Sequence, residues 1–245
     1  MILVLTNDDG VDAPGIEALH VAVEGLGEIQ VIAPSGPQSG CGHTVTAHRP
    51  IQVRHQPDGA IGVEGTPADC VRLAVHHLAP GVDWVISGIN AGGNLGVDMF
   101  HSGTVAAVRE AAIHGKPGIA VSHFIAKGRP IDWDQAARWT RRVVGHLLAL
   151  PWQPGTFWNV NLPHPEAVGT EPEIVHCPAD PSPLPLNFQV EEDTSLYCGD
   201  YQARARRTGS DIDVCFGGRI SVTLVRMLPA DLVSEGLAVE QDRVP

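Results

Sequence analysis

The chain opens on an aliphatic run, Ile2-Leu3-Val4-Leu5, that stops abruptly at Asn7-Asp8-Asp9-Gly10. Continuous aliphatics bounded by a turn signal suit a strand covered on both faces. Similar apolar segments recur at 29–33, 82–87, 118–122 and 158–162, and each predicts a further strand. β-Branched alternation predicts another over 44–54. Between them the period changes to that of a helix. A first helix is expected over about 14–26, with Pro14 in the permitted first turn. Thr66-Pro67-Ala68-Asp69 supplies an N-cap, a Pro at N1 and an acid at N3, and starts a helix that runs to about 78. A helix over about 104–114 ends at Gly115, with Pro117 beyond it. Residues 132–150 place Ala136, Trp139, Val143 and Leu147 on one helical face.

Strand and helix in alternation predict an α/β fold: a three-layer, mostly parallel, Rossmann-like sheet with helices on both faces. Ligands of such sheets bind at the carboxyl ends of the strands. After Pro163 the pattern changes. Residues 164–210 are rich in Pro and in charge and lack a clear period, which predicts an excursion serving oligomer contacts. Residues 211–225 read as two strands joined at Gly217-Gly218, an extended C-terminal β-hairpin. The expected organisation is a catalytic core over 1–163, with 164–245 completing the same domain.

Composition narrows the class. The 245 residues, 43% hydrophobic and 18% charged, describe an ordinary globular protein able to bury a sizeable core. No apolar stretch reaches membrane-spanning length and Met1 leads straight into the first strand, so a cytoplasmic protein with no membrane partner is expected. The five cysteines are scattered, odd in number and without a Cys-x-x-Cys pair, which argues against a disulfide framework or structural zinc. Cys41, between two glycines, is either a reactive thiol or a small loop filler. The net charge is −12 and Arg204-Ala-Arg-Arg207 is the only dense basic spot, which excludes nucleic acid as the main partner. That spot reads as a solvated or subunit-contacting stretch. An anionic substrate would have to be attracted locally, by a metal or a helix terminus.

The chemistry gathers in three loops, each leaving the carboxyl end of an expected core strand. Asp8 and Asp9 would point to opposite faces of a regular strand, so they converge only if the chain is already turning there. The second loop, Pro34 to His43, offers the Ser39 hydroxyl; the third, Ser87 to Gly96 and on through His101 to Thr104, offers the amides of Asn90 and Asn94. An all-oxygen set suits Mg²⁺, Mn²⁺ or Ca²⁺ rather than zinc. Ser102-Gly103-Thr104 opens a helix, whose free N–H groups and positive dipole end suit an anion. The bland alternatives are a solvated Asp-Gly turn and an ordinary N-cap. A Gly-x-Gly-x-x-Gly fingerprint after the first strand, a Walker loop and a Gly-x-Ser-x-Gly elbow are all absent. Of twelve histidines, His43 and His101 fall in these loops, where either could donate to a phosphate or protonate a leaving group.

Taken together, Asn7-Asp8-Asp9-Gly10, Ser39-Gly-Cys-Gly-His43, Gly65-Thr-Pro-Ala-Asp-Cys70, Ser87-Gly-Ile-Asn90-x-Gly-x-Asn94-Leu-Gly96 and Ser102-Gly-Thr-Val105 resemble the stationary-phase survival protein family, SurE. So do Asn159-Val-Asn-Leu-Pro163 and Asp211-Ile-Asp213…Gly218-Arg-Ile-Ser-Val-Thr223. Proteins of that family are metal-dependent 5′-nucleotidases. The resemblance implies one divalent ion per subunit, Mg²⁺ or Mn²⁺, held by Asp8, Asp9, Ser39 and Asn90. It implies phosphate contacts at Asn94, Ser102, Gly103 and Thr104, with Asp8, Asp9, Asn94 and Ser102 catalytic. It further implies a nucleoside monophosphate substrate and a homodimer or homotetramer. The chain departs from the family pattern at Ser35, Gln38 and His101, and in residues 178–210. Two other activities fit these residues: a broad-specificity acid phosphatase or exopolyphosphatase, and a metal-dependent nucleotide-binding regulator with little turnover.

Overall fold

In the computed structural model, residues 1–126, 128–164 and 171–227 are described. The opening aliphatic run forms β1 (Ile2–Thr6), and α1 (Pro14–Val23), β2 (Glu28–Pro34), β3 (Val53–His55) and β4 (Ile61–Val63) follow. Next come α2 (Pro67–Leu73) with a wider final turn over Ala74–Leu78, β5 (Trp84–Ala91), a tight turn over Gly96–Phe100, and α3 (Gly103–Ile113). The order continues with β6 (Gly118–His123), α4 (Trp133–Leu148), β7 (Thr156–Leu162), β8 (Ile174–His176), β9 (Phe188–Glu191) and β10 (Thr194–Tyr197). The described part ends with α5 (Asp211–Phe216) and β11 (Ile220–Arg226).

Nine strands form one sheet in the order β3-β4-β2-β1-β5-β6-β7-β11-β8. Its centre, β4-β2-β1-β5-β6-β7, is parallel throughout. β3 pairs antiparallel with β4, and β11 antiparallel with β7. The central strands are aliphatic because both faces are covered: Leu3, Val4, Leu5, Val85 and Ile86 are wholly buried. α1 and α4 pack together over one face, with Leu19, Val23, Trp139 and Leu147 in that core. α2 and α3 cover the other, where Val4, Val71, Val85 and Ala107 meet. The chain leaves β1 toward β2 on one side and leaves β5 toward β6 on the other. The crevice outside β1 and β5 is therefore where the connections diverge, the usual ligand position of such a sheet.

Local sequence accounts for most of these elements. The predicted face of α4 is buried at all four positions. α2 carries the full capping box: the Thr66 hydroxyl accepts from Asp69 N at 3.2 Å, and Asp69 accepts from Thr66 N at 3.0 Å.

Two expectations need correction. Residues 44–54 do not form a strand until Val53, because Thr46 donates its N–H and hydroxyl to Asp69, both at 2.8 Å. Those groups are spent on the α2 cap and none remains for a ladder. The segment 211–225 is not a hairpin but a helix followed by one strand. Asp211 and Asp213 sit in the first turn of α5, where the helix dipole favours acids, and Gly218 leaves the helix end at φ +82°. The C-terminal hairpin lies earlier, where β9 pairs antiparallel with β10. Within the expected extension, residues 165–170 and 228–245 lie outside the described residues.

Asp211 explains why a helix starts there. It is fully buried and accepts from Gly96 N at 2.7 Å, Asp180 N at 2.8 Å and Ile212 N at 2.9 Å. It thus ties the C-terminal excursion to the loop after β5. Asp211→Ala leaves those N–H groups buried without an acceptor, so unfolding by denaturant is expected to show a loss of about 3 kcal/mol. A loss near zero would mean that the excursion does not depend on this carboxylate.

Candidate active site

Asn7 builds the turn that brings the adjacent acids together. Its Nδ2 donates to the Gly10 carbonyl at 2.8 Å, and Gly10 N donates back to its Oδ1 at 3.1 Å. Gly10 sits at φ +113°, which an L side chain rarely tolerates. The second loop is stitched on by Gln38 N, which donates to the Asp8 carbonyl at 2.7 Å, and by Val11 N, which donates to the Pro34 carbonyl at 2.8 Å. In the third loop Asn90 gives its Nδ2 to the Gly92 carbonyl at 2.8 Å, so its Oδ1 is the atom left to accept or ligate.

Asn94 is held more tightly than any of these. Its N–H donates to Asn161 Oδ1 at 2.8 Å, and its carbonyl accepts from Asn159 Nδ2 at 2.8 Å and Asn161 Nδ2 at 3.1 Å. Its own Nδ2 donates to the Ser122 hydroxyl at 2.8 Å. Two asparagines at alternate positions of a fully buried strand need partners, and this loop is where they find them.

The three loops and the start of α3 enclose one cavity of about 330 Å³. Asp8, Asp9, Ser39, Asn90, Asn94, Ser102 and Gly103 all line it, as do Asp98 and His101. The approach of α3 is close. A Cβ on Gly103 would stand 2.8 Å from the Asp8 Cβ and 3.1 Å from the Cys41 Sγ, so only glycine lets the helix start reach this far.

The electrostatics are those of an uncompensated acidic pair. Burial pushes the Asp8 carboxyl above its usual range; the Thr104 hydroxyl, donating to Oδ1 at 2.5 Å, pulls it down, and neighbouring Asp9 raises it again. Burial also raises Asp9, against an N–H bond from Ala91. Among the described residues no Lys, Arg or His stands within ion-pair distance of either carboxylate. Nor do three His, Cys, Asp or Glu side chains among them gather in a way that could hold a metal ion. Two carboxylates without a cation, a hydroxyl and an amide oxygen make a donor set that a hard divalent ion fits.

Residues 2–177 match the family described as Survival protein SurE. The chain belongs to the SurE family. It is 52% identical over 227 residues, 93% of this chain and 100% of the relative, to a Nostoc sp. protein that bears a provisional 5′-nucleotidase name. It is 36% identical over 239 residues, 90% of this chain and 88% of the relative, to the 5′-nucleotidase SurE of Paramagnetospirillum magneticum. The crystal structure of the SurE protein from Aquifex aeolicus superposes with a TM-score of 0.82 at 30% identity, covering 99% of this chain and 100% of that one.

Seven of the site residues that the SurE resemblance implied thus line one cavity. The eighth, Thr104, is fully buried and does not; its hydroxyl goes to Asp8. Ser102 lines the cavity and also caps α3, accepting from Val105 N at 3.1 Å. His101 lines the cavity, whereas His43 turns onto α3 and meets the Glu110 carboxylate at 2.7 Å. Cys41 is free, and burial raises its thiol, as suits a loop filler rather than a nucleophile.

The basic spot at 204–207 also reads differently in this SurE chain. Arg204 is buried and donates to Asp98 Oδ2 at 2.5 Å, and Tyr201 donates to the same oxygen at 2.7 Å. Asp98 was not singled out because it stands between the two motifs of the glycine-rich loop, the one ending at Gly96 and the one starting at Ser102; its partners come from a segment with no clear period.

Proposed function

We infer that the chain is a metal-dependent phosphomonoesterase that hydrolyses nucleoside 5′-monophosphates to nucleoside and phosphate. The observation that carries this reading is the cavity in which an uncompensated carboxylate pair faces the N-terminus of α3. The SurE relatives named 5′-nucleotidases support it. Asp8, Asp9, Ser39 Oγ and Asn90 Oδ1 are the groups that would hold one Mg²⁺ or Mn²⁺. When bound, such an ion polarises a phosphoryl oxygen and lowers the pKa of water.

The remaining work falls to the chain itself. Gly103 lines the cavity at the positive end of α3, where free N–H groups suit the equatorial charge of a phosphoryl group. Ser102 and Asn94 stand beside it, Asn94 locked by β7 so that its position costs nothing at the moment of reaction. Thr104 keeps the Asp8 carboxylate in one orientation. His101 on the rim is placed to hand a proton to the departing nucleoside oxygen.

Release of phosphate from AMP is expected with Mn²⁺ or Mg²⁺, with loss on chelation and recovery on adding metal back. Both carboxyls are raised, so protons compete with metal in mild acid, and apparent metal affinity should climb as pH rises through the carboxylate range. Turnover that survives chelator would sink the metal assignment.

The exposed hairpin supports a homodimer or homotetramer. Phe188, Val190, Leu196 and Tyr197 on β9 and β10 are exposed at 50%, 67%, 67% and 49%, and a lone two-stranded ribbon is marginal in water. No described helix is long and apolar enough to cross a membrane.

A further inference from the structure

The phosphate cavity is not closed. It shares Asp9 and Ala91 with a second cavity of about 540 Å³, which lies between the loops after β1 and β2 and the first residue of α4. Its walls are apolar (Val11, Pro14, Pro37, Ala91 and the indole of Trp133), with Asp12 and Ser35 as polar groups. It is large enough for a small organic ligand.

Trp84, Trp139 and Trp158 are buried at 7%, 1% and 9% exposure, whereas Trp152 and Trp133 remain half-buried. Trp152 gives its N–H to the Thr156 carbonyl at 2.9 Å. Trp133 stands in the wall of this cavity. Its position is built rather than loose. The Asp132 carboxylate caps α4 by accepting from Gln135 N at 2.9 Å, which fixes the residue that follows. Gly15 lies against the ring, 3.4 Å from Cη2 at the place of an added Cβ, and it is the Ile89 carbonyl, not the indole, that requires glycine there. The indole N–H has no acceptor among the described residues.

The chemistry of the second cavity excludes a phosphate. Asp9 and Asp12 are acids, and no Lys or Arg lines it. Its occupant must be uncharged and flat enough to lie against an indole, and it must be joined to a phosphate next door. A nucleoside meets those conditions. We propose that this cavity is the nucleoside subsite, in which the base stacks on Trp133 and the ribose hydroxyls face Asp12. The proposal rests on the phosphomonoesterase reading above, and it makes Trp133 the residue that separates nucleotides from other phosphate esters.

The test compares AMP with ribose 5-phosphate, the same ester without its base, in wild type, Trp133→Ala and Trp133→Phe. Base stacking on an aromatic side chain is strong enough that Trp133→Ala should cut the preference for AMP, as a ratio of kcat/KM values, roughly tenfold. Trp133→Phe should keep most of it. Adenosine, which needs neither phosphate nor metal site, should quench the indole emission of wild type but not of Trp133→Phe. A preference within twofold of wild type in Trp133→Ala, or quenching that persists in Trp133→Phe, overturns the subsite. If neither ester releases phosphate, the activity reading fails, and adenosine quenching alone then decides the subsite.

Discussion

Asp8→Asn or Asp9→Asn is expected to lower metal-dependent phosphate release from AMP by roughly 10³-fold or more, since each removes a ligand charge at the reacting centre. The fold should survive. Asp8 is buried at 6% exposure with its pKa raised, so in the metal-free protein its ionised form costs stability that is lost as pH rises through the folded value. Asn removes that charge and can still accept from Thr104. In chelator near neutral pH, Asp8→Asn should therefore melt at the wild-type temperature or above. With Mn²⁺ the order should reverse, because only the wild type gains the binding free energy of the ion. Thermal melts with and without Mn²⁺, run beside the phosphate assay, separate loss of metal from loss of fold. Activity within tenfold of wild type in both variants would show that these acids are not the metal's main ligands.

Gly103→Ala should cost roughly 10²-fold in kcat/KM for AMP, with helix content unchanged. An added Cβ would stand 2.8 Å from the Asp8 Cβ, 2.9 Å from Asp8 Oδ2 and 3.1 Å from the Cys41 Sγ. Carbon atoms in contact stand about 3.5–4.0 Å apart, so the start of α3 and the Asp8 side chain must separate by roughly 1 Å. A misplacement on the order of 1 Å in a catalytic constellation costs about 10²-fold. Ala favours helix over Gly by about 1 kcal/mol, so the helix itself has no reason to unravel. Circular dichroism together with kcat/KM distinguishes a displaced site from a damaged fold. A variant within twofold of wild type would mean that the helix start does not touch the reacting group.

Much of this site can be read along the chain because its parts are local motifs. Asn7-Asp8-Asp9-Gly10 is a turn whose hydrogen bonds close within four residues. Ser102 caps the helix that it begins, and Thr66 to Asp69 form a box within one turn. The bond from the Thr104 hydroxyl to Asp8 is not legible in the same way, because it spans 96 residues of sequence. Nor is the contact of His43 with Glu110, because that partner lies on a different element. Asp98, Tyr201 and Arg204 meet across more than a hundred positions, and nothing in their spacing announces it.

The sequence by itself determined the layered α/β core, the places where strands give way to loops, and the residue types at the cavity. Those depend on period, burial on both faces and capping, all of which act over a few residues. Only the tertiary structure decided that 211–225 begins as a helix, since the buried Asp211 needs N–H donors from Gly96 and Asp180 before that turn is stable. Only the tertiary structure set Trp133 and Asp9 on one cavity, with α4 brought there by its packing against α1. Side-chain chemistry is written one residue at a time. Which groups face each other depends on how the layers close, and burial of the whole core determines that.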